Sequence, residues 1–131
     1  MATMHVEVVS AEHHVLSADV TELYARSVEG EIGILPGHQP AVIALDIGQV
    51  LLRFEDGNEE RVAVHRGVLY VDKGKKVIVL ADIAELASQV DVRRAQGKKA
   101  ELERQLEVED DAVLRASLRK QQLRLDVAER A

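Results

Sequence analysis

The stretch Gly30-Glu31-Ile32-Gly33-Ile34-Leu35-Pro36-Gly37-His38-Gln39-Pro40 concentrates residues with special backbone geometry. Its three glycines reach backbone angles that other residues avoid, and its two prolines fix φ and lack an amide donor. Between them, Ile32 and Ile34 alternate with the period of a half-buried strand. The segment therefore predicts a short strand that runs into a tight Pro-Gly turn. It is not a phosphate-binding loop, because no Gly-Lys-Ser/Thr follows it.

The composition is that of one small globular protein. Of the 131 residues, 47% are hydrophobic, which suffices for a packed core, and aromatic residues make up only 2%. The absence of cysteine excludes disulfides and thiolate metal sites. No apolar run approaches the ~20 residues of a membrane span, and the N-terminus lacks the pattern of a signal peptide. We therefore expect a soluble, intracellular protein.

Charge is distributed unevenly along the chain. Residues 1–88 carry seven basic and fourteen acidic side chains, whereas residues 89–131 carry ten and nine. An acidic first part argues against binding to a nucleic-acid backbone. The second part is dense in both signs, which is typical of solvated helical surfaces.

The first part of the chain has the period of β-strands. Apolar alternation or short β-branched runs recur every 8–12 residues, at 5–9, 15–24, 41–45, 49–54, 60–65, 68–71 and 77–80. Asp56-Gly57 and Gly74 provide turn signals between neighbouring runs. With the strand at 30–34, this pattern predicts an antiparallel sandwich or barrel and argues against parallel βαβ folds.

The remaining residues predict two helices joined by a short acidic turn. Two rows of mostly apolar residues have helical spacing, namely Val92, Ala95, Lys99, Leu102 and Leu106, then Leu114, Leu118, Gln121, Leu125 and Ala128. Glu109-Asp110-Asp111 separates them and offers an N-cap for the second helix. The overall prediction is an α+β protein, in which an antiparallel β-sandwich precedes a two-helix hairpin.

The apolar stripe of this hairpin is narrow. Lys99 and Gln121 interrupt it, and Gly97 costs about 1 kcal/mol relative to alanine within a helix. Such helices bury little surface, so we expect a segment of low local stability that can detach from the sheet. A permanently docked hairpin is the open alternative.

No residue pattern indicates an active site or a metal site. The five histidines (His5, His13, His14, His38 and His65) form no metal-binding pair, so we expect them at the surface or in interfaces. No serine lies in a Gly-x-Ser-x-Gly or Ser-x-x-Lys motif. An enzyme is therefore the disfavoured reading.

One charged cluster could bind a nucleotide. Asp91 and Arg94 begin the first helix, Glu85 precedes them, and Arg124 lies in the second helix. A carboxylate can accept from adenine or ribose, and arginines can face phosphates. The alternative is helix capping by Asp91 together with solvated basic residues.

Three segments carry a resemblance to a known family. The order Gly-x-x-Gly-x-Leu-Pro-x-His-x-Pro at 30–40, Gly-Val-Leu-Tyr-Val at 67–71 and Ala-Asp-x-Ala-Glu at 81–85 resemble the epsilon subunit of F-type ATP synthases. The resemblance covers essentially the whole chain. It implies a β-sandwich of about ten strands (residues 1–86), a helical hairpin (residues 87–131), and no catalytic activity of the chain itself.

The resemblance also implies partners. The sandwich would bind the gamma subunit and the c-subunit ring, with Glu31 and His38 as contact candidates. The hairpin would move between a compact and an extended state and inhibit ATP hydrolysis when extended. Its residues Arg115, Arg119 and Lys120 would then meet acidic surface on the alpha and beta subunits. This places the chain at the cytoplasmic face of the plasma membrane, with a non-catalytic interaction module of another assembly as the alternative.

A regulatory ATP site is the last implication. Val90-Asp91-x-x-Arg94-Ala95 resembles the family's Ile/Leu-Asp-x-x-Arg-Ala motif, and Glu85 and Arg124 stand at further matching positions. Val90, Lys120 and Glu101 depart from the pattern. ATP is therefore expected only as an optional ligand, and no other cofactor or metal is expected.

Overall fold

A computed structural model describes residues 2–130 of the chain. Within this range the elements are β1 (Met4–Ser10), β2 (His14–Val20), β3 (Glu22–Ser27), β4 (Gly30–Ile34), β5 (Ala41–Arg53), β6 (Glu59–Asp72), β7 (Lys76–Leu86), a 3₁₀ turn (Ala87–Gln89), α1 (Val92–Val108) and α2 (Ala112–Glu129). The predicted α+β class, with strands first and two helices last, is confirmed.

The strands form a single hydrogen-bonded sheet in the order β2-β1-β7-β6-β5-β3-β4. Neighbouring strands are antiparallel except β1 and β7, which run parallel with His5 opposite Lys76. The turn signals could not predict this pair, because its two strands are separated by most of the sandwich sequence. The other pairings agree with the predicted antiparallel architecture.

The sheet folds over itself because β5, β6 and β7 bend. In β6, Val62 and Val64 are buried before the bend, whereas Leu69 and Val71 are buried after it, so the inward parity changes. At the bend, Arg66 has a φ of 65°. A Cβ on the following residue, Gly67, would lie 2.2 Å from the carbonyl oxygen of Leu80. Glycine therefore allows the close strand approach at this point.

Two layers result from these bends. Layer 1 contains β1, β2 and segments 41–45, 67–72 and 76–81 of the bent strands, and layer 2 contains β3, β4 and the other segments of β5–β7. The expected count of about ten strands is thus corrected to seven in the described residues. Three strands pass through both layers, so the polar and glycine interruptions at 46–48 and 66–67 mark bends rather than strand ends.

The core lies between the two layers. One hydrophobic cluster contains side chains from all seven strands, among them Met4, Val20, Leu23, Ile34, Leu52, Leu69 and Val79. The segment 30–40 contributes Ile34 to this core, where the side chain is buried at the end of β4. Its turn then reaches the β6–β7 turn, where the amide of Gly37 donates to the carbonyl of Gly74 at 3.0 Å. The predicted strand and turn at 30–40 are confirmed.

The helices begin where capping residues allow. Asp91 accepts from the amide of Arg94, and Asp111 accepts from the amides of Val113 and Leu114. α1 packs along α2 and buries only Ala95, in agreement with its narrow predicted stripe. In α2 the buried residues are Gln121 and Val127. Neither helix is long and apolar enough to span a membrane.

Candidate functional site

The hairpin rests on the outer surface of layer 2. Val127 of α2 is fully buried against Ala63 of β6 and Ala87, with Leu123 packed at the edge of the same cluster. The predicted stripe of α2 omitted Leu123 and Val127 and is incomplete, because α2 faces both α1 and the sheet. We call these four residues, together with the Glu85–Arg124 ion pair, the docking interface.

Glu85 is the charged centre of this interface. Arg124 Nε donates to Glu85 Oε1 at 2.5 Å, and His65 Nε2 lies 3.3 Å from the same oxygen. The hydrogen bond from His65, and after it the ion pair with Arg124, outweigh burial and lower the pKa of Glu85 to about 2. The carboxylate is therefore ionised at neutral pH and holds α2 to β7.

His65 lies beneath the hairpin, in an interface rather than at the free surface, which were the two positions that we expected for the histidines. Its side chain is 0% exposed, and its Nδ1 has no hydrogen-bond partner in the described residues. His65 is buried because it points to the outer side of layer 2, which α2 covers. An available signal was the run from Val62 to His65, which is buried on both sides of the strand.

An open cleft of about 230 Å³ adjoins the docking interface. Its lining contains all four residues of the predicted nucleotide cluster, together with other residues of the 3₁₀ turn, α1 and α2: Glu85, Gln89, Asp91, Arg94, Ala95, Lys98, Gln121 and Arg124. Asp91 caps α1 through the amide of Arg94 at 3.0 Å, as the capping alternative predicted. Within residues 2–130, Arg94 and Lys98 form no ion pair. The cleft thus combines two unpaired cations with the paired Arg124.

The two predicted rotor-contact residues lie apart. Glu31 faces Arg26 at 3.8 Å and lines a groove beside Arg119 of α2. His38 follows the turn that touches Gly74, and its Nδ1 donates to the Gln39 carbonyl at 2.7 Å. These contacts within the chain say nothing about whether Glu31 and His38 bind a rotor partner. Of the two, only His38 lies near the β6–β7 turn, which joins two segments of layer 1.

The three cations predicted to contact a catalytic head differ in their pairing. Arg115 pairs with Asp110 in the turn between the helices, and Arg119 pairs with Asp46 of β5 at 3.9 Å. Lys120 has no ion-pair partner in the described part of the chain. The arginine side chains are about half exposed, at 53% and 52%. Solvent screening makes both ion pairs weak.

Layer 1 has an apolar outer surface that no helix covers. Val42, Tyr70 and Leu80 are 71%, 38% and 44% exposed. The register places six residues side by side on β5, β6 and β7: Val42, Ala44, Val68, Tyr70, Ile78 and Leu80. We call this set the uncovered apolar face. In the sequence these segments are continuous apolar runs, which is typical of strands that are buried on both faces.

Residues 3–87 match the family model of the ATP synthase Delta/Epsilon chain, beta-sandwich domain. A protein of Streptomyces avermitilis named ATP synthase epsilon chain is 41% identical over 120 residues, covering 88% of this chain and 95% of that one. The chain belongs to the ATP synthase epsilon chain family. The epsilon chain of Thermobifida fusca is 39% identical over 127 residues, covering 95% and 91%. As a member of the epsilon family, the chain is a non-catalytic subunit of an F-type ATP synthase.

Two solved structures share the fold of this epsilon chain. A chain of the Euglena gracilis mitochondrial ATP synthase (OSCP/F1/c-ring) superposes with a TM-score of 0.73 at 20% identity, covering 98% of this chain and 79% of that one. A chain of the Tetrahymena thermophila central stalk/c-ring superposes with a TM-score of 0.62 at 13% identity, covering 98% and 96%. The two-layer sandwich followed by two helices is thus retained at low sequence identity.

Among residues 2–130, no group of three or more histidine, aspartate or glutamate side chains is arranged to hold a metal ion.

Proposed function

We propose that this epsilon chain couples proton-driven rotation of the c-subunit ring to the catalytic head through the gamma subunit. We further propose that its helical hairpin leaves the sheet and inhibits ATP hydrolysis. The observation that carries the second proposal is the small docking interface, whose apolar part consists only of Ala63, Ala87, Leu123 and Val127. A hairpin with so little contact to the sheet can take a second position.

The energetics of the docking interface support movement. Complete burial of a valine such as Val127 contributes about 1.5–3 kcal/mol. The Glu85–Arg124 pair is partly exposed, so screening limits its contribution. A docking free energy of a few kcal/mol leaves a minor undocked population, which a partner can increase by binding it preferentially.

The uncovered apolar face supports binding to the gamma subunit. Contiguous exposed apolar residues mark protein interaction sites, and Tyr70 is a side-chain type enriched in such interfaces. This face lies on layer 1, whereas the hairpin lies on layer 2. Gamma can therefore bind the sandwich whether the hairpin is docked or not.

The c-subunit ring is proposed to contact the end of the sandwich at His38. Its turn touches the β6–β7 turn through Gly37 and Gly74, so two turns form one surface at this end. Glu31 remains a second candidate, although it lies beside α2. We place the assembled subunit peripherally at the cytoplasmic face of the plasma membrane. The reason is that its bacterial relatives are named as chains of an ATP synthase, and this complex would lie at that membrane in a bacterium.

The extended hairpin is proposed to meet the alpha and beta subunits through Arg115, Arg119 and Lys120. Undocking separates Arg119 from Asp46 and makes its charge available to an acidic partner. Attraction between such exposed charges is long-ranged and salt-sensitive. Inhibition should therefore weaken as ionic strength rises.

ATP is proposed as a regulatory ligand of the cleft, with Glu85, Asp91, Arg94 and Arg124 as its binding residues. The cleft of about 230 Å³ is below the ~300–1,000 Å³ of pockets that enclose a drug-sized ligand. ATP would thus be partly enclosed and weakly bound. Because the cleft is formed by β7, α1 and α2 together, bound ATP would favour the docked hairpin and relieve inhibition.

Two experiments on the assembled synthase test the proposal. Truncation after Ser88 removes the hairpin, so ATP hydrolysis should rise while gamma still co-purifies. Tyr70→Asp places a charge in the uncovered apolar face and should reduce co-purification with gamma at least tenfold. Val28→Asp changes an exposed valine outside this face and should have no effect. Unchanged hydrolysis after truncation would contradict the inhibitory role.

A further inference from the structure

A buried histidine with one unpartnered nitrogen lies at the docking interface. His65 Nε2 is 3.3 Å from Glu85 Oε1, while its Nδ1 meets no hydrogen-bond partner in residues 2–130. A neutral ring with its proton on Nε2 satisfies this geometry. A protonated ring would carry a second N–H, on Nδ1, with no acceptor.

The charges around His65 come from four elements, β5, β6, β7 and α2. The residues directly opposite on β5 and β7, Ile47 and Ile83, are apolar. Glu85 is the acid within hydrogen-bond distance, and Arg124 of α2 donates to the same Glu85 oxygen. Other charged residues of these elements include Asp46 of β5, which pairs with Arg119 of α2, Arg61 of β6, which donates to the carbonyl of Arg130, Arg66 of β6, Asp82 of β7 and Lys120 of α2.

Undocking changes this environment in two ways. It removes the positive charge of Arg124 from the shared carboxylate, and it opens Nδ1 to water. Glu85 lies on the sheet and stays beside His65 in both states. The attraction between Glu85 and a protonated His65 is therefore present in both, whereas the unsatisfied N–H and the repulsion from Arg124 arise only when the hairpin is docked.

We propose that His65 makes docking of the hairpin dependent on pH, with protonation of His65 favouring the undocked hairpin. A histidine changes its charge between about pH 5 and 8, within the range of cellular pH. Acidification would thus increase the population of undocked helices. This inference rests on the proposed movement of the hairpin.

Thiol labelling measures docking directly, because the chain has no cysteine. Ala63→Cys places a thiol beneath α2, and Ala44→Cys places one on the uncovered apolar face. Because Ala63 belongs to the docking interface, every chain whose docking is compared carries the same Ala63→Cys change. The protection factor is the labelling rate of the thiol at position 44 divided by the labelling rate of the thiol at position 63. The reagent must be active at both pH 8 and pH 5.5. We expect this factor to fall about tenfold from pH 8 to pH 5.5 in the full-length chain.

Matched histidine variants identify the titrating group. His65→Gln retains an N–H donor but cannot take up a proton, so its protection factor should be nearly constant across this range. His14→Gln changes an exposed histidine and should retain the tenfold fall. A factor that is constant in the parent chain, or falls equally in His65→Gln, would overturn the inference.

Arg124→Ala separates this inference from the proposed function. It should lower the protection factor at pH 8 if the hairpin can undock. Full protection in Arg124→Ala at both pH values would contradict hairpin movement itself. Reduced protection in Arg124→Ala, combined with equal pH dependence in the parent and His65→Gln, would overturn only the role of His65.

Discussion

Arg124 and Glu85 are joined by a 2.5 Å hydrogen bond between Nε and Oε1, although they lie 39 positions apart in the sequence. The bond connects the last helix to the last strand. Both side chains are mostly covered, at 22% and 26% exposure, which shields the pair in part from solvent. Within residues 2–130 it is the shortest of the polar contacts between the helical part and the sheet, which also include Arg119 with Asp46 at 3.9 Å and Arg61 with the carbonyl of Arg130 at 3.4 Å.

Replacement of Arg124 by alanine should weaken hairpin docking by about 1–3 kcal/mol. The reason is that the Glu85 carboxylate loses its charged partner while remaining largely covered. Limited proteolysis of the full-length chain should show faster cleavage within residues 92–130. Arg119→Ala removes a more exposed arginine with a longer ion pair and is the control. Equal cleavage of the two variants would contradict a special role for Arg124.

The depressed pKa of Glu85 predicts loss of stability in acid. A carboxyl whose pKa falls from 4.5 when unfolded to about 2 when folded stabilises the folded state above pH 4.5. That contribution is lost as the pH falls from 4.5 towards 2. After allowance for solvent screening it is about 1–2 kcal/mol. Urea unfolding of the parent and Glu85→Gln should therefore differ at pH 6 and converge near pH 2.

Substitution of Gly74 by alanine should destabilise the sandwich by about 2–4 kcal/mol. Gly74 has a φ of 72°, and a Cβ on it would lie 2.5 Å from the Cα of Gly37. Gly57 has a φ of 89° with free space around the Cβ position, so Gly57→Ala should cost only about 1 kcal/mol. Urea unfolding measures both values. Equal costs would show that the contact between the two turns has no energetic role.

Arg94 should be required for ATP binding by the isolated chain. Its side chain lines the cleft and has no ion-pair partner in the described residues, so it can bind phosphate without breaking an existing pair. Titration calorimetry should detect weak ATP binding that Arg94→Ala reduces at least tenfold. Arg93→Ala, at an exposed neighbour outside the cleft lining, is the control. No heat with the parent chain at millimolar ATP would remove the proposed site.

The division into strands and helices was predictable because the two parts of the chain have different hydrophobic periods. The bends were not predictable. A charged residue followed by glycine, as found at 46–48 and 66–67, occurs at the ends of strands as well as at bends within a strand. The parallel pairing of β1 with β7 depends on long-range packing that no local pattern encodes. For this reason the eight segments indicated by the sequence pattern, and the roughly ten strands implied by the family resemblance, correspond to seven strands in the described residues.

The candidate cleft was predictable in part. Glu85, Asp91, Arg94 and Arg124 were grouped by residue type and family pattern, and all four line one cleft. The burial of His65 was missed although the run from Val62 to His65 indicated it, because such a run does not reveal which element covers the strand. Leu123 and Val127 were missed for a related reason, since a single stripe was assigned to a helix that has two packed sides.

The three bent strands have a mechanical consequence for a subunit proposed to transmit rotation. The strands β5, β6 and β7 pass from layer 1, which carries the uncovered apolar face, to layer 2, on which the helices rest. A sideways load on one layer is thus carried to the other by covalent backbone and ladder hydrogen bonds. Slippage between layers, which side-chain packing alone would resist only weakly, is prevented. The sandwich can thus bear torque as one stiff body, whatever position its helices take.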